Sequence, residues 1–292
     1  MSVYIQSVLL GIVEGLTEFL PISSTAHLRI VEMLMKIPMD DAYWKMYTIV
    51  IQAGAILALL LLFLSRIVGF IKSFPAGESG DRTMVNHPIS LTLVAFFCTS
   101  VLVLPLHKWS DKNLGSISVI AWALLVGGII MWIVDARSQR FEPNTLHVEE
   151  MSLGQSVWIG ICQALSAIFP GVSRSMSTIA GAQLVGLNRP SALEFSFLLS
   201  IPTMLAATVW DFLKEIHPSK AAIAAGAQAA DVAMTPERWI VLIIGFVVSF
   251  IVALGVVEWF LLWVRKHGFA VFAVYRILLG ALLLLAGSRL IG

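Results

Sequence analysis

Residues Gly11–His27 read GIVEGLTEFLPISSTAH, and the fold turns on how this stretch is understood. It opens as an apolar helix, yet it carries Glu14, Glu18, the hydroxyls of Thr17, Ser23, Ser24 and Thr25, a proline and a histidine. Groups of this kind held against hydrocarbon cost several kcal/mol each. They must therefore face protein, water or a ligand, which marks a site before any motif is considered.

The surroundings make that cost unavoidable. The chain has 292 residues, of which 58% are hydrophobic and 13% charged, and its mean hydropathy is +0.89. Soluble domains carry about 25% charged residues, so a polytopic membrane protein is expected, as one integral domain over 1–292. A net charge of +1 gives no basis for a nucleic-acid partner. Cys98 and Cys162 lie in apolar runs without CxxC spacing and read as small buried hydrophobes. The first basic residue is Arg29, so no cleavable signal peptide is expected.

Outward from Gly11–His27, apolar runs lie at about 47–70, 88–106, 116–134, 190–213, 239–263 and 269–288. Each is long enough to cross a hydrocarbon core of ~30 Å. Helix starts are legible at Ser152 with Gln155, a capping box, and at Thr235-Pro236, an N-cap followed by proline. The longest polar connector, 135–152, divides the chain.

The halves resemble each other. GIVEGLTEFLP (11–21) aligns with GICQALSAIFP (160–170), pairing Glu14 with Gln163, and ALLVGGIIMWI (123–133) resembles RILLGALLLLA (276–286). Internal repeats of about 1–135 and 153–292 follow. The expected fold class is all-α, an inverted-topology repeat whose units each hold one re-entrant helix pair and three transmembrane helices. Pro21 and the hydroxyl cluster interrupt the first apolar segment and favour re-entry. The alternative is a full crossing by residues 2–20, which at 1.5 Å per residue would nearly span and leave the repeats parallel. Lys and Arg are balanced between the loops, so charge bias does not fix orientation.

Glu14 and Glu18 lie four apart on one helix face, near the C-terminal end where the dipole disfavours them. A divalent metal, a cationic side chain or protonation must compensate, and proton relay is the plainer alternative. After Pro21 a new helix starts within ISSTAH, with free N–H groups and hydroxyls turned back into the turn. The second turn, PGVSRSMST (170–178), repeats the form and adds Arg174. Serine-rich helix starts are often only caps. Together, however, the turns make an oxyanion cradle from Arg174, Ser173, Ser175, Thr178, Ser23 and Thr25. Mg²⁺ or Ca²⁺ on Glu14 and Glu18 would bridge to a bound phosphate. Ser24 is placed to attack, with His27 three residues on as base or acid. His87, His107, His147, His217 and His267 lie in or beside loops.

EGLTEFLPISSTAHL resembles the E-G-L-T-E-F-[LI]-P-[VI]-S-S-T-[GA]-H-[LM] signature of the bacitracin-resistance type undecaprenyl-diphosphate phosphatases, and PGVSRSMST resembles their P-G-x-S-R-S-x-x-T motif. IQAGAI (51–56), EFSFLLSIP (194–202) and VYRILLG (274–280) also look like family blocks. The resemblance implies hydrolysis of undecaprenyl diphosphate to the monophosphate carrier used for peptidoglycan, and with it bacitracin resistance. It implies divalent-cation dependence and a multi-pass protein of the bacterial inner membrane, its site open to the periplasm. Glu14 and Glu18 match the family's acidic pair, Ser24 the proposed nucleophile, and His27 an essential histidine also considered as nucleophile. Ser173, Arg174 and Thr178 match its phosphate-binding group. Membrane lipid and a second copy in a homodimer are the other partners expected.

A lipid-phosphate transporter or flippase is the rival reading, because inverted repeats with broken helices also build transporters. The acid-phosphatase type of membrane enzyme is excluded on spacing. Arg189-Pro190 would need Lys at 182 and Ser173-Arg174 would need His at 180, but both positions are Ala.

Overall fold

The computed structural model describes residues 1–38, 41–77, 80, 82–106, 116–216 and 234–290. Within them are ten α-helices: α1 (Val3–Thr17), α2 (Ser24–Leu34), α3 (Ala42–Ser73), α4 (Pro88–Val103), α5 (Ile117–Ser138), α6 (Leu153–Ile168), α7 (Arg174–Leu184), α8 (Arg189–Ile216), α9 (Pro236–Lys266) and α10 (Ala270–Leu290). No strand forms among the described residues; an isolated bridge joins Thr145 to Leu187.

Among the described residues, five helical stretches are long and apolar enough to cross a membrane: Tyr43–Ser73, Pro88–Leu106, Ile117–Ser138, Arg189–Trp210 and Pro236–Lys266. The sixth expected span falls on α10, whose apolar stretch Ala270–Ala286 is shorter. Two helices begin several residues before the apolar runs that predicted them, because polar caps start them. Asp41 accepts from the Trp44 N–H at 3.1 Å, and Thr235 from that of Arg238 at 3.3 Å, with Pro236 first in the helix. The Ser152–Gln155 capping box is present. The expected loop at 107–115, most of that at 214–237, and His107 and His217 lie outside the described residues.

α1 and α6, 15 and 16 residues long, each span only about 22–24 Å at 1.5 Å per residue. α1 packs along α9 and α6 along α4, while α5 packs on α10 and α3 on both α9 and α8. The first two contacts are built alike. A Cβ on Gly11 would come within 2.8 Å of Gly245 O, and one on Gly160 within 2.5 Å of Ala95 O. Ser7 Oγ donates to Val241 O at 2.6 Å and Ser156 Oγ to Leu91 O at 2.5 Å. Close approach through small residues, fastened by hydroxyls, suits helices that gain no hydrophobic driving force from leaving lipid.

An aromatic cluster of Phe19, Phe63, Phe197 and Phe260 fills the centre with edge-on and tilted rings. Cys98 and Cys162 are free thiols, partly buried.

Candidate active site

α1 stops at Thr17, whose Oγ1 folds back to donate to Val13 O at 2.7 Å, four residues before Pro21 breaks the path. The chain restarts at α2 from Ser23, an N-cap at φ 76° whose Oγ accepts from the Ala26 N–H at 3.4 Å. The second turn does the same. Gly171 at φ 97° leads to Ser173 at φ 74°, whose Oγ accepts from the Met176 N–H at 3.3 Å, and α7 begins. A non-glycine residue at positive φ is uncommon and is kept where its surroundings compel it. Here two serines adopt it at equivalent points.

The turns are fastened to each other. Ser175 Oγ donates to Leu20 O at 2.9 Å. Arg276, fully buried on α10, donates to Pro21 O and Gly171 O, both at 3.2 Å, and to Ala123 O at 3.1 Å. One guanidinium thus fixes the separation of the two helix starts.

Between them lies a cavity of about 180 Å³. Glu18, Ser23, Ser24, Thr25, Ser173 and Arg174 line it, together with Gln52, Thr99, Gln163 and Thr203. Ser24 Oγ donates to Glu18 Oε2 at 2.5 Å. The other oxygen of Glu18 faces Arg174 at 3.5 Å. Arg174 is loosely held: its second contact, to Ser196 O, is 3.4 Å long, and its buried Nε has no partner among the described residues. A buried guanidinium with donors to spare, beside two helix N-termini, is an anion site.

The sequence candidates divide by position. Glu18, Ser23, Ser24, Thr25, Ser173 and Arg174 meet at the cavity. Thr178 and Ser175 are fully buried behind it; Thr178 Oγ1 donates to Arg174 O at 2.9 Å and pairs with Ser196 Oγ. Glu14 is buried one turn from Glu18, with Oε2 unpartnered. His27, expected beside Ser24, has both ring nitrogens engaged elsewhere. Nδ1 donates to Ser23 O at 2.7 Å, so Nε2 accepts from the Tyr275 hydroxyl at 2.6 Å. Gln52, Thr99, Gln163, Thr203, Tyr275 and Arg276 were not among the candidates. Gln163 carried a signal, as the counterpart of Glu14 in the repeat.

Among the described residues no three His, Cys, Asp or Glu side chains gather. The oxygens present still suit a hard divalent cation, which is bound through one or two carboxylates together with water and substrate phosphate. The unpartnered buried oxygen of Glu14 is the observation that fits it.

The profile of a family described as bacitracin resistance protein BacA matches residues 7–282. An undecaprenyl-diphosphatase of Koribacter versatilis is 53% identical over 281 residues, 96% of each chain. One of Caldanaerobacter subterraneus subsp. tengcongensis is 39% identical over 97% of this chain and 96% of its own. One of Novosphingobium aromaticivorans is 40% identical over 97% and 98%.

Proposed function

This chain belongs to the bacitracin resistance protein BacA family, and we propose that it hydrolyses undecaprenyl diphosphate to undecaprenyl phosphate and inorganic phosphate in a bacterial membrane. The observation that carries the chemistry is the line Ser24–Glu18–Arg174: a hydroxyl 2.5 Å from a carboxylate that itself faces an under-used guanidinium.

The terminal phosphate binds against Arg174 and the exposed N–H groups at the starts of α2 and α7. These donors are preorganised for the charge that develops at phosphorus. Ser24 Oγ attacks in line, passing its proton to Glu18, and undecaprenyl phosphate leaves. Water then releases the phosphoryl group from Ser24. Glu14 and Glu18 would hold Mg²⁺ or Ca²⁺, which supplies charge neutralisation to the phosphate oxygens. Ser24 is favoured over His27 as nucleophile because both His27 nitrogens are committed to Ser23 and Tyr275. Through those two bonds His27 braces the cap of α2.

The doubled contacts support an inverted repeat. Ser7 and Ser156, Gly11 and Gly160, and Ser23 and Ser173 make like contacts or turns. In this arrangement the two short helix pairs enter from opposite faces, and the site opens to the periplasmic side of the inner membrane. The same duplication is what favours lipid movement as a second reading.

Rapid acid quench of the purified protein with undecaprenyl diphosphate should trap phosphoserine at position 24. Ser24→Ala should bind the lipid and release no phosphate. Phosphate release by Ser24→Ala at the wild-type rate removes Ser24 as nucleophile. Lipid binding without phosphate release by the wild type leaves the transporter.

A further inference from the structure

The cavity has a second group of polar lining residues, chemically unlike the group around Arg174. Thr99 on α4, Gln163 on α6 and Thr203 on α8 meet there. Thr99 Oγ1 donates to Ala95 O at 3.0 Å and Gly160 O at 2.8 Å, and Thr203 Oγ1 donates to Leu199 O at 2.8 Å. With their protons committed to main-chain carbonyls, both hydroxyl oxygens can only accept. Both accept from Gln163 Nε2, at 3.1 and 3.0 Å. The two N–H bonds of the amide are thereby spent and its rotation is fixed. Its Oε1 is left buried and without a partner among the described residues, on a side chain that lines the cavity and is 1% exposed.

A buried carbonyl left unmatched costs roughly 1–3 kcal/mol, and it calls for a partner that arrives with the ligand. That partner must donate. Phosphate oxygens accept and are repelled from this carbonyl, as they are drawn to Arg174. The donor that a hydrolytic step brings into the cavity is water.

We propose that Gln163 is a positioning residue for the attacking water, its Oε1 accepting one O–H and aiming a lone pair at phosphorus. The proposal rests on the phosphatase reading with Ser24 as nucleophile. In the second step the water oxygen bonds to phosphorus as the P–Oγ bond to Ser24 breaks. Glu18 returns to Oγ the proton that it took from Ser24, and one water proton passes to solvent. The other stays on the incoming oxygen, held by Gln163, and departs with the phosphate. A side chain that orients a nucleophilic water in this way has precedent in phosphoryl transfer.

Gln163→Met, similar in length and without the amide, is the test. It would be studied in nanodiscs with undecaprenyl diphosphate and Mg²⁺. Loss of one oriented hydrogen bond predicts a fall in kcat of about tenfold. KM should fall in proportion, so that kcat/KM and the Mg²⁺ activation constant stay within about twofold, and phosphoserine-24 should accumulate above its wild-type level, because only the water step is slowed. Thr203→Val, which removes one anchor of the amide, should give a smaller change of the same kind if Gln163→Met does not fold. Unchanged kcat overturns the proposal. So does a shifted Mg²⁺ constant, or slow turnover without phosphoserine where the wild type forms it. If Ser24→Ala keeps wild-type turnover, the nucleophile reading fails separately; a kcat loss without a KM change in Gln163→Met then upholds the water role, and its absence removes it.

Discussion

Ser24 and Arg174 occupy the same place in two copies of one turn. Each is the first residue of an 11-residue helix, and each follows a serine cap held at positive φ, 76° at Ser23 and 74° at Ser173. The two turns present two side chains to one cavity, one a hydroxyl and the other a cation. Glu18 lies between them, accepting from both.

Arg174→Ala should lower kcat/KM by two to three orders of magnitude, because a charge-assisted contact to a transferring phosphate contributes roughly 2–4 kcal/mol. Arg174→Lys should recover part of the loss, as a point charge without the fork. Phosphate release under saturating and limiting lipid separates the two parameters. Near wild-type turnover in the alanine variant removes Arg174 from the site.

Glu14→Gln makes the first copy match the second, where Gln163 stands. The variant should keep its melting temperature while losing stimulation by added Mg²⁺ or Ca²⁺. Glu18→Gln should lose that stimulation and turnover together, because Glu18 also holds the Ser24 hydroxyl. A metal-stimulated Glu14→Gln enzyme would count against the carboxylate-cation pairing.

Arg276→Met should be more damaging than its distance from Ser24 suggests. The carbonyls of Pro21 and Gly171, on buried residues, lose a donor, each costing ~1–3 kcal/mol, and Ala123 O inside α5 loses a second one. A melting curve in detergent should shift downward and activity should fall with it. Activity lost without any loss of stability would point instead to direct contact with substrate.

Gly160→Ala and Gly11→Ala test the paired helix contacts. The new methyl meets a backbone oxygen at 2.5 or 2.8 Å, and overpacking of this kind costs about 1–3 kcal/mol. Both should melt earlier, with Gly160→Ala the more affected; unchanged melting in both would show that the helices part without cost.

The apolar runs gave the helices because length and hydropathy are local properties, and their starts were legible where Asp, Thr or Ser could cap. The two turns were legible for the same reason: proline, glycine and serine act on their own neighbourhood. The partner of Ser24 was not. Three-residue spacing put His27 on its helix face, but the reversal of the chain at Pro21 brings Glu18 back to the hydroxyl, and Tyr275 takes the histidine from 248 positions away. Thr99 and Thr203 look like stray hydroxyls in hydrophobic runs until α4, α6 and α8 converge on Gln163. Arg276 sits in an apolar run as an unexplained charge, since its three acceptors come from distant segments.

That last residue bears on biosynthesis. The carbonyls that Arg276 grips belong to Pro21, Ala123 and Gly171, all translated well before it. A nascent chain inserted as far as α9 has both turns, joined by Ser175 to Leu20, but lacks the guanidinium that grips them both. Catalytic competence therefore waits for the docking of α10, and a protein truncated before residue 276 should be inserted yet inert.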